Sequence, residues 1–197
     1  LITFSSGSTA DPKPIVFSEY TKIKRAKNMK RLFKLTHNDK LILSCSPNHS
    51  LGFRIIFTSI LNGMTLSLID KFDSRNYMRL VKNKKCSFPI LLGSQMYELI
   101  RKNILSFKFK KGILSTSSVL PNQLKEKIVK SKNNLFEMYG ASEIGTVTYF
   151  CVNKNKDQIN SVGKITGSNI KLKILSKEGK FHKHNQTGEI ICKNNFM

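Results

Sequence analysis

The stretch SSGSTADPKP, residues 5–14, sets Ser5, Ser6, Ser8 and Thr9 around Gly7 and follows them with Lys13. Hydroxyl donors, a glycine that admits an anion to the backbone and one ammonium are the groups that hold phosphate oxygens. The outline is close to the Gly-x-x-x-x-Gly-Lys-Ser/Thr loop, whose consecutive N–H groups form a nest and whose last hydroxyl reaches magnesium. Pro12 has no N–H and Pro14 has no hydroxyl, which closes that mode. Phosphate binding through side chains stays open, beside the plainer reading of a solvated serine-rich loop.

Three further segments carry the same kinds of residue: SPNHSLGF at 46–53, STSSVLP at 115–121 and YGASEIG at 139–145. Each follows a strand candidate, and loops at strand ends are where an α/β protein keeps its site.

The elements that must position these loops alternate. A helix is expected over 17–35 with Ser18 as its N-cap, then a strand at 40–46, a helix at 52–62 closed by Gly63, and a strand at 65–70. A helix opening at Asp73 or Ser74, the strand SFPILL, the helix SQMYELIRKNIL, a strand at 111–116, a helix beginning at Pro121 and a strand at 134–140 continue the series. Such alternation predicts βαβ units around a mostly parallel sheet, with a ligand crevice beyond the carboxyl ends of its strands. From about residue 146, TVTYFCV, NIKLKIL and GEIICKN are strand candidates without helices between them. They predict a small antiparallel subdomain, so the chain divides into an α/β portion, 1–145, and a β-rich portion, 146–197.

Bulk properties narrow the function. The chain has 197 residues, 40% of them hydrophobic, enough for a real core. Its longest apolar runs fall well short of the roughly 20 residues that span a bilayer, and none stands at the N-terminus as a signal peptide would. The formal charge of +22 is spread along the chain on lysines that travel with asparagine, as in VKNKKC and VNKNKDQIN. Interleaved arginines and stacking aromatics are missing, which favours a solvated surface over a nucleic-acid face. Cys45, Cys86, Cys151 and Cys192 form no CxxC pair, as expected of reduced thiols in a cytoplasmic protein. His182 and His184 lack acidic or thiol neighbours and read as exposed loop residues rather than metal ligands.

Taken in order, SSGSTADPK, HSLG, YGASE, SVGKITGSNIKLKI and TGEIICKN resemble the motifs of the adenylate-forming superfamily, the acyl-CoA synthetases and related AMP-binding ligases. The resemblance covers nearly the whole chain. It implies part of the large N-terminal domain of such an enzyme, which joins a carboxylic acid to AMP from ATP and passes the acyl group to a thiol of coenzyme A or an acyl-carrier phosphopantetheine. Ser5, Ser6, Gly7, Ser8, Thr9 and Lys13 would cradle the β- and γ-phosphates. Tyr139, with Gly140 beside it, would stack on adenine, and Ser117 and Ser118 would pass along it in place of a Gly-Ala pair. Ser142 would contact the α-phosphate and Glu143 would hold magnesium, so that Thr9, Lys13 and Glu143 carry the catalysis. His49 would line the acid pocket. Simple alternatives stand beside these roles: a strand-end aromatic for Tyr139, a carboxylate favoured by a helix dipole for Glu143, a loop histidine for His49.

No acidic residue lies between Asp39 and Asp70, where amino-acid-activating relatives place an aspartate, so a fatty or aryl acid is expected before an amino acid. An acyl carrier protein is a possible partner. The aspartate for the ribose and the lysine-bearing C-terminal domain of the family are not in the sequence, which reads as an internal fragment, inactive alone. Two departures, Ala10 for glycine and Pro14 for the glycine after the lysine, favour an alternative: a catalytically inactive relative that serves as a binding module. A nucleic-acid-binding protein is favoured by net charge alone.

Overall fold

In a computed structural model of the chain, the structure describes residues 1–5, 13–102, 107–182 and 185–195. Strands β1 (Ile2–Ser5) and β2 (Lys13–Val16) form an antiparallel hairpin with Ser5 opposite Lys13. The opening stretch is thus held at both ends by paired strands; its middle, with Ser6, Gly7, Ser8, Thr9 and Ala10, lies outside the described residues. Pro14 is accommodated within β2, opposite Phe4, since a two-stranded hairpin leaves an edge free of ladder partners.

Helix α1 (Glu19–Phe33) starts where the sequence predicts, with the Ser18 hydroxyl accepting from the Thr21 N–H at 3.1 Å. Next come β3 (Lys40–Leu43), α2 (Ser50–Leu61) and β4 (Thr65–Leu68), a parallel pair with a helical crossover. Helix α3 (Ser74–Asn83) is capped by Asp73, whose carboxylate accepts from the Asn76 N–H at 2.7 Å. A five-stranded sheet follows. Its strands β5 (Ile90–Leu92), β6 (Ile113–Thr116) and β7 (Leu135–Ala141) are parallel neighbours connected through α4 (Gly93–Arg101) and α5 (Asn122–Lys130). β8 (Gly145–Cys151) and β9 (Lys164–Ile165) then add antiparallel, so the sheet is mixed. Of the three strand candidates expected to form the later subdomain, β10 (Ile170–Leu175) and β11 (Glu189–Asn194) form a separate antiparallel ribbon, while β8 pairs with β7 instead.

Strand alternation explains the two cores. Leu91 and Ile113 face a layer built with Tyr77 of α3, Met96 of α4 and Ile128 of α5. Their neighbours Ile90 and Leu114 face the opposite layer, with Met29 and Phe33 of α1 and Ile55 of α2. There the Phe33 ring lies 4.9 Å from Phe88 and meets Phe136 edge-on at 5.5 Å. Among the described residues no helix is long and apolar enough to cross a membrane.

One buried acid ties the β3–β4 pair to the five-stranded sheet. Asp39 accepts from the Thr36 N–H (2.7 Å), the Thr36 hydroxyl (3.1 Å) and the Ser87 hydroxyl (2.8 Å), with Lys111 Nζ at 3.7 Å. Burial by itself raises its pKa, but these bonds and Lys111 outweigh burial and hold the carboxyl below its ordinary value. The stabilisation is therefore present above the unfolded carboxyl's pKa and is lost as pH falls through the folded value. Asp39→Asn is expected to cost about 2 kcal/mol at neutral pH and to flatten the acid limb of the stability profile. Urea unfolding at neutral pH and in steps into the acid range measures both; an unchanged neutral stability would contradict the assignment.

Candidate active site

A cleft of about 750 Å³ opens at the carboxyl ends of β6 and β7. Of the residues picked from sequence, Lys13, Ser117, Ser118, Tyr139, Gly140, Ser142 and Glu143 line it. Ser5 ends β1 across the hairpin from Lys13. Ser6, Gly7, Ser8 and Thr9 are outside the described residues. His49 is not among the lining residues: it is exposed at the N-cap of α2 and makes no capping bond, while Ser50, one residue on, lines the cleft.

Local sequence accounts for the loop shapes. Ser117 takes a left-handed turn, φ 72°, that bends the chain away as β6 ends. The glycine of HSLG is needed for close approach, because a Cβ on Gly52 would stand 2.1 Å from the Ser46 carbonyl oxygen. Tyr139 stands near the end of β7 with 37% of its surface exposed, and lines the cleft. Glu143 sits on the exposed turn between β7 and β8.

That turn is clamped from two other elements. Arg25 of α1 donates Nη1 to the Ser142 carbonyl at 2.9 Å and Nη2 to the Glu143 carbonyl, and Asn194 of β11 donates to the Ile144 carbonyl at 2.9 Å. Beside it, Arg54 of α2 donates Nη1 to the Thr146 hydroxyl at 2.5 Å. Lys22 lies over the Phe17 ring at 3.9 Å and the Phe53 ring at 4.9 Å. Burial, then the charges of Arg25 and Arg54, push the Lys22 ammonium down to about 8. Burial lowers Arg25 to about 10 against the opposing pull of Glu143, and burial with Arg25 lowers Arg54 to about 10.

On the far wall, Lys125 and Glu137 form a buried ion pair at 2.7 Å, and Lys125 also donates to the Ile159 carbonyl at 2.9 Å. Burial raises the Glu137 carboxyl, with Lys125 opposing it. Sequence reasoning missed Lys22, Arg25, Arg54, Lys125, Glu137 and Asn194. One signal existed for the first of these: Lys22 falls in register with Ala26, Met29 and Phe33, the inward stripe of α1.

A polar cleft beyond the ends of parallel strands, lined by Lys13 of the β1–β2 hairpin and by Arg54, is where an α/β domain of this kind takes its ligand. The chain belongs to the AMP-binding enzyme family, whose model matches residues 1–197. It is 23% identical over 199 residues to the indoleacetate–CoA ligase of Aromatoleum aromaticum, covering 98% of this chain and 39% of that one. To the 2-succinylbenzoate–CoA ligase of Bacillus licheniformis it is 22% identical, covering 98% and 40%. It is also 28% identical to bacitracin synthase 1 of Bacillus licheniformis, covering 82% of this chain and 3% of that protein. The chain thus spans about two-fifths of the two acid–CoA ligases. Its fold superimposes on O-succinylbenzoate coenzyme A synthetase of Bacillus subtilis in complex with ATP and magnesium ion, with a TM-score of 0.87 at 19% identity over 98% of this chain and 40% of that one. The fold is therefore that of part of the N-terminal domain of adenylate-forming enzymes.

Proposed function

We propose that this protein activates a carboxylic acid with ATP and transfers the acyl group to a thiol of coenzyme A or of an acyl-carrier phosphopantetheine. An oxygen of the acid attacks the α-phosphorus, the new O–P bond replaces the bond to pyrophosphate, and an acyl adenylate results. Sulfur then attacks the acyl carbon, AMP leaves, and the thiol proton is released. What supports the reading is that Lys13, Ser117, Ser118, Tyr139, Ser142 and Glu143, drawn from three separate segments, line the same cleft.

In this reading the hairpin loop, with Ser5, Ser6, Gly7, Ser8, Thr9 and Lys13, holds the terminal phosphates, and Tyr139, Gly140 and the 117–118 backbone bind adenine. Residues 1–145 supply the nucleotide-binding core, and 146–197 the β-rich portion of the same large domain. Magnesium fits Glu143, a hard oxygen ligand exposed on a turn clamped through its backbone, because this ion commonly takes one or two carboxylates together with substrate phosphates. When bound, the ion neutralises phosphate charge. Lys13 adds a further positive charge to the cleft, and Ser142 a hydroxyl for the α-phosphate. His49, exposed and outside the cleft lining, is given no role in this reading. Arg54 on the α2 wall disfavours an ammonium-bearing substrate, in keeping with a fatty or aryl acid.

ATP–pyrophosphate exchange with the intact protein and a panel of fatty, aryl and amino acids tests the proposal. Acid-dependent exchange is the expected result. Silence with every acid would overturn it and favour an inactive binding module, the reading that Ala10 and Pro14 motivate.

A further inference from the structure

We propose that the acid taken by this site carries a second anionic group, which Arg54 binds, so that the substrate is a dicarboxylic acid rather than a simple monocarboxylate. This rests on the activity proposed above and narrows its substrate class.

The inference begins with unmatched charge. Lys22, Arg25 and Arg54 gather between α1, α2 and the β7–β8 turn, and among the described residues none of them has a side-chain carboxylate within ion-pair distance. Burying cations without a counterion is costly, and such clusters attract an anion. Lys22 is occupied by the Phe17 and Phe53 rings, and Arg25 by two carbonyls. Arg54 is the member that reaches the cleft.

A guanidinium has five N–H donors. That of Arg54 makes one hydrogen bond among the described residues, to Thr146, while its Nε is buried without a partner. The Thr146 bond fixes the planar group against the start of β8, and a guanidinium fixed in this way suits two-point binding of an oxyanion.

A nucleotide phosphate and a second carboxylate share this chemistry. The surroundings favour the carboxylate. Ser50, Leu51 and Arg54 lie on one face of α2, one turn apart, and Leu51 and Met138 bring apolar surface to the same cleft. Carbon skeleton against Leu51 and Met138 with a charged end at Arg54 suits an organic diacid, whereas a polyphosphate chain gains nothing from those side chains. In the activity proposed above, Lys13 and the 5–9 hydroxyls are the groups assigned to the nucleotide phosphates.

The test is ATP–pyrophosphate exchange by the intact protein with aliphatic and benzene dicarboxylic acids, each compared with its own monomethyl ester, which keeps size and one reactive carboxylate. The diacid of the accepted pair is expected to exceed its ester in kcat/KM by about 10- to 100-fold, chiefly through KM. Arg54→Met should bring that ratio towards one, Arg54→Lys should retain part of it, and neither should raise the KM for ATP as much as that for the diacid. Esters and plain monocarboxylates that serve as well as diacids in the wild-type protein would overturn the inference while leaving the activity standing, with no variant needed. A rise confined to the KM for ATP in Arg54→Met would assign the anion to the nucleotide and also overturn it. Absence of exchange with every acid would remove the proposed activity, and this inference with it.

Discussion

Glu143→Gln is expected to lower acid-dependent ATP–pyrophosphate exchange by roughly 10²- to 10³-fold and to raise the magnesium concentration needed for half-maximal rate. The substitution keeps side-chain size and removes the charge. It should leave the fold intact, because the turn is held through backbone carbonyls by Arg25 and Asn194 and the Glu143 side chain faces solvent. An amide oxygen is a weaker ligand for a hard dication than a carboxylate, so excess magnesium should recover part of the rate. Magnesium titrations of wild type and variant, run beside thermal unfolding, separate the effects. Exchange within a few-fold of wild type at low magnesium would remove Glu143 from the role proposed for it.

Gly140→Ala should damage both the fold and the site. A Cβ at this position would lie 1.9 Å from the Gly145 carbonyl oxygen, 2.9 Å from its carbon and 3.2 Å from the Thr146 Cα. All three are backbone atoms of the paired strand, so no side-chain rotation relieves the clash. The hairpin register already shifts between Tyr139 and Gly140, and the only adjustment left is to push β8 away from β7. Overpacking of this kind costs about 3 kcal/mol. Because Tyr139, Ser142 and Glu143 all hang from the same hairpin, ATP affinity should fall by about tenfold or more, for a displacement worth about 1.4 kcal/mol. Urea unfolding and calorimetric titration of ATP measure the two losses. Wild-type stability in the variant would show that β8 can yield at little cost, and wild-type ATP affinity would uncouple the hairpin from nucleotide binding.

Much of this protein was legible from local sequence, since the signals act over a few residues. Ser18 caps α1 and Asp73 caps α3 through hydroxyl and carboxylate bonds to the N–H three residues on, a contact that short-range spacing specifies. The β–α alternation through residue 140, and the position of the Ser117, Tyr139 and Glu143 loops at strand ends, follow from the same kind of periodicity. Tertiary structure alone decided the rest. The four-residue strands on either side of residues 6–12 become β1 and β2 only because they pair with each other, and β8 joins β7 rather than β10 and β11 because partner choice depends on a tight turn and on burial supplied from afar. Lys22, Arg25 and Arg54 look in sequence like the lysines and arginines of the solvated surface. Burial between α1, α2 and the β7–β8 turn makes them clamp and cationic wall, since the cost of enclosing a charge depends on neighbours that are distant in the chain.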